Sequence, residues 1–63
     1  MKMSNYNAAM IAEGVIEADE ETYIAAWQHL VDTGLAFQLQ GFFGRTALAM
    51  IREGIIKDKK GGK

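Results

Sequence analysis

The stretch MIAEGVI at residues 10–16 has a close counterpart in MIREGII at residues 50–56, and both read as helix ends. Residues 30–36, LVDTGLA, keep the same framework of an apolar pair, a glycine and a second apolar pair. A glycine just past a helix adopts the left-handed conformation at little cost, and the apolar residue after it packs back on the last turn. The pattern therefore predicts three helix ends, each with a positive φ, at Gly14, Gly34 and Gly54.

This recurrence has two explanations, a triplicated ancestor or convergence on one helix-stop phrase. The glycines are twenty residues apart, but the segments between them do not match. That mismatch excludes a solenoid of equivalent repeats and favours convergence.

The helix starts follow from capping residues. Ser4 or Asn5 can cap a first helix, which we predict at residues 5–13. Asp19 can cap a second helix, predicted at residues 19–33, and two glutamates in its first turn favour the helix dipole.

The third helix is predicted at residues 41–53. Gly41 and Gly44 would each cost about 1 kcal/mol relative to alanine in a helix interior. Either another backbone crosses close to these glycines, or the helix starts later.

A helical wheel gives each predicted helix one apolar stripe. The stripe residues are Tyr6, Ala8, Ala9, Met10 and Ile11, then Tyr23, Ile24, Trp27, Leu30 and Val31, then Leu39, Phe43, Ala47, Met50 and Ile51. We expect Trp27 and Leu30 to pack on Phe43 and Met50. The predicted fold class is all-α, a compact three-helix domain at residues 1–56 with a frayed, basic C-terminal tail at residues 57–63.

The composition limits the kinds of site the chain can build. The 63 residues include no cysteine and one histidine, so we expect no disulfide, no metal and no cofactor. A chain this short buries only roughly 60% of its unfolded surface, yet 49% of its residues are hydrophobic. Self-association is therefore possible. Without a membrane-length apolar run or a secretion signal, the expected location is cytoplasmic and away from membranes.

The net charge of −1 conceals a strong asymmetry along the chain. No lysine or arginine occurs between Met3 and Gly44, where the acidic residues are Glu13, Glu17, Asp19, Glu20, Glu21 and Asp32. The basic residues that follow are Arg45, Arg52, Lys57, Lys59, Lys60 and Lys63. The two parts can attract each other, within one chain or head to tail, or they can simply be solvated surfaces.

No stretch meets the requirements of a catalytic or ligand-binding motif. His29 points away from Trp27 on the wheel and has no nucleophile beside it, so it is interpreted as an exposed bystander. EGVIEADEE at residues 13–21 lacks the alternating oxygen ligands of a calcium loop, and capping and solubility explain its acids better. GFFGR at residues 41–45 lacks the spacing and the lysine of a phosphate-binding loop. We expect no enzymatic activity and no small-molecule substrate.

The most unusual stretch is FQLQGFFGR at residues 37–45, with three phenylalanines, two glutamines and an arginine. Aromatic residues and arginine are the types that anchor protein interfaces. The residues predicted to bind a protein partner are Phe37, Gln38, Gln40, Phe42 and Arg45. Alternatively, the phenylalanines cap a small core and the glutamines cover turn carbonyls.

Arg45 lies opposite the predicted Phe43–Met50 core stripe. As a structural residue it would reach Asp32 or the carbonyls at the Gly34 helix end. As a functional residue it would project beside Phe42 and offer a forked donor to a carboxylate or phosphate.

An alternative function is nucleic-acid binding. Two helices joined by a turn at Gly34 resemble a helix-turn-helix in outline. Arg45, Arg52 and the tail lysines Lys57, Lys59, Lys60 and Lys63 would then contact phosphates. Phosphate contacts dominate nucleic-acid affinity, and a net acidic chain supplies few of them.

Residues 27–47, WQHLVDTGLAFQLQGFFGRTA, resemble a family of small proteins encoded in tailed-bacteriophage genomes. The resemblance is carried by Trp27-Gln28, Leu30 to Gly34, Phe37, Leu39-Gln40-Gly41, Phe43, Gly44-Arg45 and Ala47, with Phe37 where many relatives have tryptophan. It covers about a third of the chain. It implies a phage product acting in the cytoplasm of a bacterial host, and it implies no reaction. The expected function is docking on a host or phage macromolecule through FQLQGFFGR.

Overall fold

The computed structural model of the protein describes residues 3–39 and 41–58. Helix α1 spans Asn5–Glu13, α2 spans Glu20–Asp32 and α3 spans Gly41–Arg52. A 3-10 helix at Leu35–Phe37 connects α2 to α3, and no strand occurs in the described residues. The all-α class is confirmed, and each α-helix boundary lies within one residue of its prediction.

The first two helices begin at the predicted caps. The Ser4 hydroxyl accepts a hydrogen bond from the Asn7 N–H at 3.0 Å, which identifies Ser4 rather than Asn5 as the cap of α1. The Asp19 carboxylate accepts one from the Thr22 N–H at 2.8 Å at the start of α2. Hydrogen bonding by Thr22, from its side chain and its backbone, lowers the pKa of Asp19.

All three helix-end glycines have positive φ, as predicted, with values of 84° at Gly14, 80° at Gly34 and 80° at Gly54. At the end of α1 the Val15 N–H donates to the Met10 carbonyl at 2.9 Å. At the end of α3 the Ile55 N–H donates to the Met50 carbonyl, also at 2.9 Å. Together with the bond from each glycine N–H to the carbonyl three residues earlier, these bonds form the same Schellman motif twice.

At the Gly34 helix end, a side-chain hydroxyl accepts the hydrogen bond that a backbone carbonyl accepts at the other two helix ends. The Gly34 N–H donates to the Val31 carbonyl at 3.0 Å. However, the Thr33 hydroxyl donates to the His29 and Leu30 carbonyls, at 3.0 and 3.2 Å, and the Leu35 N–H donates to that hydroxyl at 3.3 Å. Because Leu35 is not bonded directly back to the helix, the chain can continue into the 3-10 helix.

The core is one cluster around the Trp27 side chain, which is fully buried. Its buried members are Ala8, Ile11, Ala12, Ala26, Trp27, Leu30, Val31, Ala36, Phe43, Ala47, Met50 and Ile56. The Trp27 and Phe43 ring centroids lie 5.8 Å apart. The predicted packing of Trp27 on Phe43 is confirmed, and Leu30 and Met50 belong to the same buried cluster.

The predicted stripe of α1 is correct for Ala8 and Ile11 but wrong for Tyr6. Tyr6 is 70% exposed, while Ala8 and Ala12 are buried. The buried surface of α1 contains small side chains, and Ala26 on the facing helix α2 is also fully buried. Small residues let two helices approach closely, which leaves no room between them for a tyrosine ring.

Two other predicted core residues lie at the edge of the core. Tyr23, 37% exposed, is one turn nearer the N-terminus of α2 than Trp27, and its ring is only partly covered. Leu39, 36% exposed, lies in a bend before α3 begins, so the helical phase of α3 does not extend to it.

The repeated phrase has two different tertiary roles. Ile56, after the Gly54 stop, is 3% exposed and belongs to the core. The equivalent Ile16, after the Gly14 stop, is 38% exposed, and Val15 is 67% exposed. The residue directly after the glycine, which was expected to pack back on the helix, is exposed at both stops, since Ile55 is 44% exposed. Only the second residue differs, buried as Ile56 and partly exposed as Ile16.

The chain remains attached to α2 beyond Ile56. The Lys57 N–H donates to the Gln28 side-chain oxygen at 2.8 Å, and the Gln28 side-chain nitrogen donates to the Lys57 carbonyl at 3.0 Å. The same nitrogen also donates to Asp32 at 3.0 Å. Lys57, the first residue of the predicted tail, thus has its backbone fixed to α2. Residues 59–63 lie outside the described residues.

Alanine substitutions at two glycines should have opposite effects on stability. A Cβ on Gly44 would lie 3.7 Å from the Ala36 carbonyl oxygen, which is ordinary contact, so Gly44→Ala should gain about 1 kcal/mol of helix propensity. Gly54 has open space around it but a φ of 80°, so Gly54→Ala should lose about 1–2 kcal/mol. Urea unfolding followed by circular dichroism measures both. Loss of stability in Gly44→Ala would contradict the packing described for α3.

Candidate interaction surface

Helix α3 has one buried face and one exposed, cationic face. Phe43, Ala47 and Met50 are buried, and at 3.6 residues per turn the opposite side carries Arg45 and Arg52. The exposed residues that surround these two arginines are Phe42, Leu48 and Ala49. We call the set Phe42, Arg45, Leu48, Ala49 and Arg52 the α3 outer face. The helix contains no acidic residue, so this face combines positive charge with apolar surface.

Phe42 is held in place although half of it is exposed. Its ring packs edge-on against Trp27, with centroids 6.1 Å apart, and against Phe43, with centroids 5.0 Å apart. The side chain remains 48% exposed. A ring already ordered by the core loses little conformational entropy when a partner covers its outer half.

Phe37 borders the other edge of α3. It ends the 3-10 helix, is 47% exposed, and its Cδ1 lies 3.8 Å from where a Cβ on Gly44 would be. Since Gly44 and Phe42 point to nearly opposite sides of α3, the two half-exposed rings flank the helix.

Arg45 is exposed at the middle of the α3 outer face. Its Nη2 lies 3.7 Å from where a Cβ on Gly41 would be, so the guanidinium extends back along the helix toward its N-terminus. Asp32, one of the two expected structural partners, accepts a hydrogen bond from Gln28 instead. At the other, the Gly34 helix end, the Thr33 hydroxyl bonds the Leu30 carbonyl.

The remaining predicted contact residues are glutamines. Gln38 is exposed, and its backbone N–H closes the 3-10 helix by donating to the Leu35 carbonyl at 2.9 Å. Gln40 lies outside the described residues. Leu48, 49% exposed beside Arg45, was not predicted. Its spacing of three residues from Arg45 would have identified it on the wheel.

A second exposed surface has the opposite charge. Every residue from 13 to 21 is exposed, and this run contains five acidic residues and no basic residue. It also exposes Val15 and Ile16. We call residues 13–21 the acidic corner, because they form the end of α1, the turn and the start of α2. Within residues 3–39 and 41–58, no group of three potential ligands could hold a metal ion.

His29 and the Gln28 region have structural contacts. His29 is half-buried, and its Nε2 lies 2.7 Å from Asn5 Oδ1, which joins α2 to the start of α1. The interpretation of His29 as an exposed bystander is therefore revised. An open pocket of about 410 Å³ is lined by Gln28, Asp32, Lys57 and Asp58, but the Gln28 amide there already makes three hydrogen bonds.

Trp27 has one unsatisfied polar atom. Its Nε1 is buried and has no hydrogen-bond partner among the described residues. A buried donor without an acceptor costs roughly 1–3 kcal/mol. The contacts that the structure shows for the indole are the ring contacts with Phe42 and Phe43.

These features define a small helical protein with one cationic–apolar helix face and one acidic corner. The chain belongs to the family described as "Domain of unknown function (DUF7417)", which matches residues 2–62. No curated protein and no solved structure matches it. In the described residues, no helix is long and apolar enough to cross a membrane.

Replacing each of the two adjacent phenylalanines should separate surface from core. Phe43→Ala should cost about 3–5 kcal/mol, since Phe43 is only 4% exposed. Phe42→Ala should cost about half as much or less, since half of the ring is already in water, and it should shift the Trp27 emission to longer wavelength by uncovering the indole. Intrinsic fluorescence during urea unfolding measures both effects, because Trp27 is the only tryptophan. Equal losses would show that Phe42 belongs to the core.

Proposed function

We propose that this chain is a non-enzymatic interaction protein, encoded by a phage and active in the bacterial cytoplasm, that docks on a partner protein. The docking surface is the α3 outer face together with the neighbouring residues of FQLQGFFGR, namely Phe37, Gln38 and Gln40. The observation that carries the proposal is Phe42, half exposed beside Arg45 yet held by two core rings.

The composition of the α3 outer face favours a protein partner. Interface anchors are most often aromatic residues and arginine, surrounded by apolar contacts that exclude water. Phe42, Arg45 and Leu48 provide this combination on one rigid helix. The phage origin rests on the resemblance of residues 27–47, and the cytoplasmic location follows from that origin.

Nucleic-acid binding through Arg45, Arg52 and the tail lysines is the weaker candidate. A helix-turn-helix joins its helices by a turn of three or four residues, whereas residues 33–40, including the 3-10 helix, separate α2 from α3. The acidic corner also repels phosphates. A salt titration distinguishes the candidates, because nucleic-acid affinity falls steeply in proportion to the phosphates contacted.

Photo-crosslinking tests where a partner binds. A photoreactive phenylalanine analogue replaces Leu48 on the α3 outer face, and a control carries it at Tyr6, which is more exposed and lies on α1. After incubation in lysate of infected or uninfected bacteria, position 48 should crosslink to a protein and position 6 should not. Crosslinking from position 6 alone, or from position 48 to nucleic acid alone, would overturn the proposal.

Substitution of Arg45 should separate binding from folding. Arg45→Lys keeps the charge but loses the fork, so binding of the crosslinked partner should weaken roughly tenfold. The free energy of unfolding should change by under about 1 kcal/mol, since Arg45 is exposed. Titration calorimetry and urea unfolding measure the two quantities. If Arg45→Ala unfolds the domain, the residue is structural and does not belong to the docking site.

A further inference from the structure

The α3 outer face and the acidic corner are complementary surfaces on the same chain. The α3 outer face carries two arginines in a helix without any acid. The acidic corner carries five acids in nine exposed residues without any base. Surfaces of opposite charge attract each other before they touch, and the same charges repel partners of the wrong sign.

Both surfaces also offer apolar contacts. Phe42 and Leu48 are 48% and 49% exposed on the α3 outer face, and Val15 and Ile16 are 67% and 38% exposed on the acidic corner. Exposed ion pairs alone contribute little to association. The apolar side chains would supply the buried area that the ion pairs lack.

The α3 outer face and the acidic corner do not pair with each other within one chain. In the part of the chain that the structure describes, no ion pair joins them. The acidic corner precedes α2, whereas α3 packs on the 3-10 helix that follows α2.

We infer that the α3 outer face binds the acidic corner of a second copy of this chain. The inference rests on the proposed function in one respect, since it assigns an occupant to the same docking face. The contact is head to tail, so each copy offers one face and one corner, and copies add until a ring closes or an open chain forms. An external partner of this face would present the same chemistry, carboxylates beside aliphatic side chains.

Paired charge reversal tests the contact. One variant, Arg45→Glu with Arg52→Glu, makes the α3 outer face acidic. The other, Glu13→Lys with Glu17→Lys, makes the acidic corner more basic while leaving the Asp19 cap intact. Glu13 ends α1, where a cation is favoured, so this second variant should fold at least as well as the wild type. Arg45→Glu alone serves as a substitute for the first variant if the loss of Arg52 at the end of α3 prevents folding.

Sedimentation velocity up to millimolar protein gives the outcome. Wild-type chain should associate, and association should weaken several-fold with added salt. Each variant alone should associate about tenfold more weakly or not at all. An equimolar mixture should form one-to-one complexes, because the unchanged α3 outer face of one variant meets the unchanged acidic corner of the other. A monomeric wild type, variants that associate like the wild type, or a mixture that forms no complexes would each overturn the inference.

The sedimentation experiment and the crosslinking experiment can fail separately. If a foreign protein crosslinks at position 48 while the wild type stays monomeric, docking stands and the second copy is excluded. If the charge-reversed mixture associates while only this chain crosslinks at position 48, self-association is the function of the face.

Discussion

The buried side chain of Trp27 holds α2 and α3 together. Its ring projects from α2 and meets Phe43 on α3, so it joins two helices that are otherwise linked through a 3-10 helix. An aromatic side chain that buries about 150–250 Å² contributes roughly 4–6 kcal/mol. That amount is comparable with the whole stability of a small domain. The position of Phe42, and with it the docking surface, is set by the same ring.

The elements of the fold could be predicted because their signals are local. The caps at Ser4 and Asp19 and the stops at the three glycines depend on residues within one helical turn. What failed depends on partners far along the chain. The face of α1 is chosen by alanines that let α2 approach, and Gln28 meets Lys57 across 29 residues. The periodicity of apolar residues reveals neither how closely two helices approach nor which distant residues form hydrogen bonds.

The candidate surface was predictable to a similar degree. The phase of α3 was correct, so the exposure of Arg45 and Arg52 followed from the sequence. Phe42 and Phe37 were both predicted as contact residues, but their positions on opposite edges of α3 depend on the 3-10 helix, which a glycine stop alone does not predict. Thr33 makes that turn possible, since its hydroxyl replaces a backbone bond at the end of α2.

The Gln28 side chain gives the end of the fold an unusual geometry. A side-chain amide has the same donor and acceptor as a peptide group, so its two bonds with Lys57 imitate a single rung of a β-ladder. The rung lies on α2, two turns from the Asp19 end and one from Thr33. The backbone at Lys57 is therefore held at a defined point on the flank of α2, in the way a neighbouring strand would hold it.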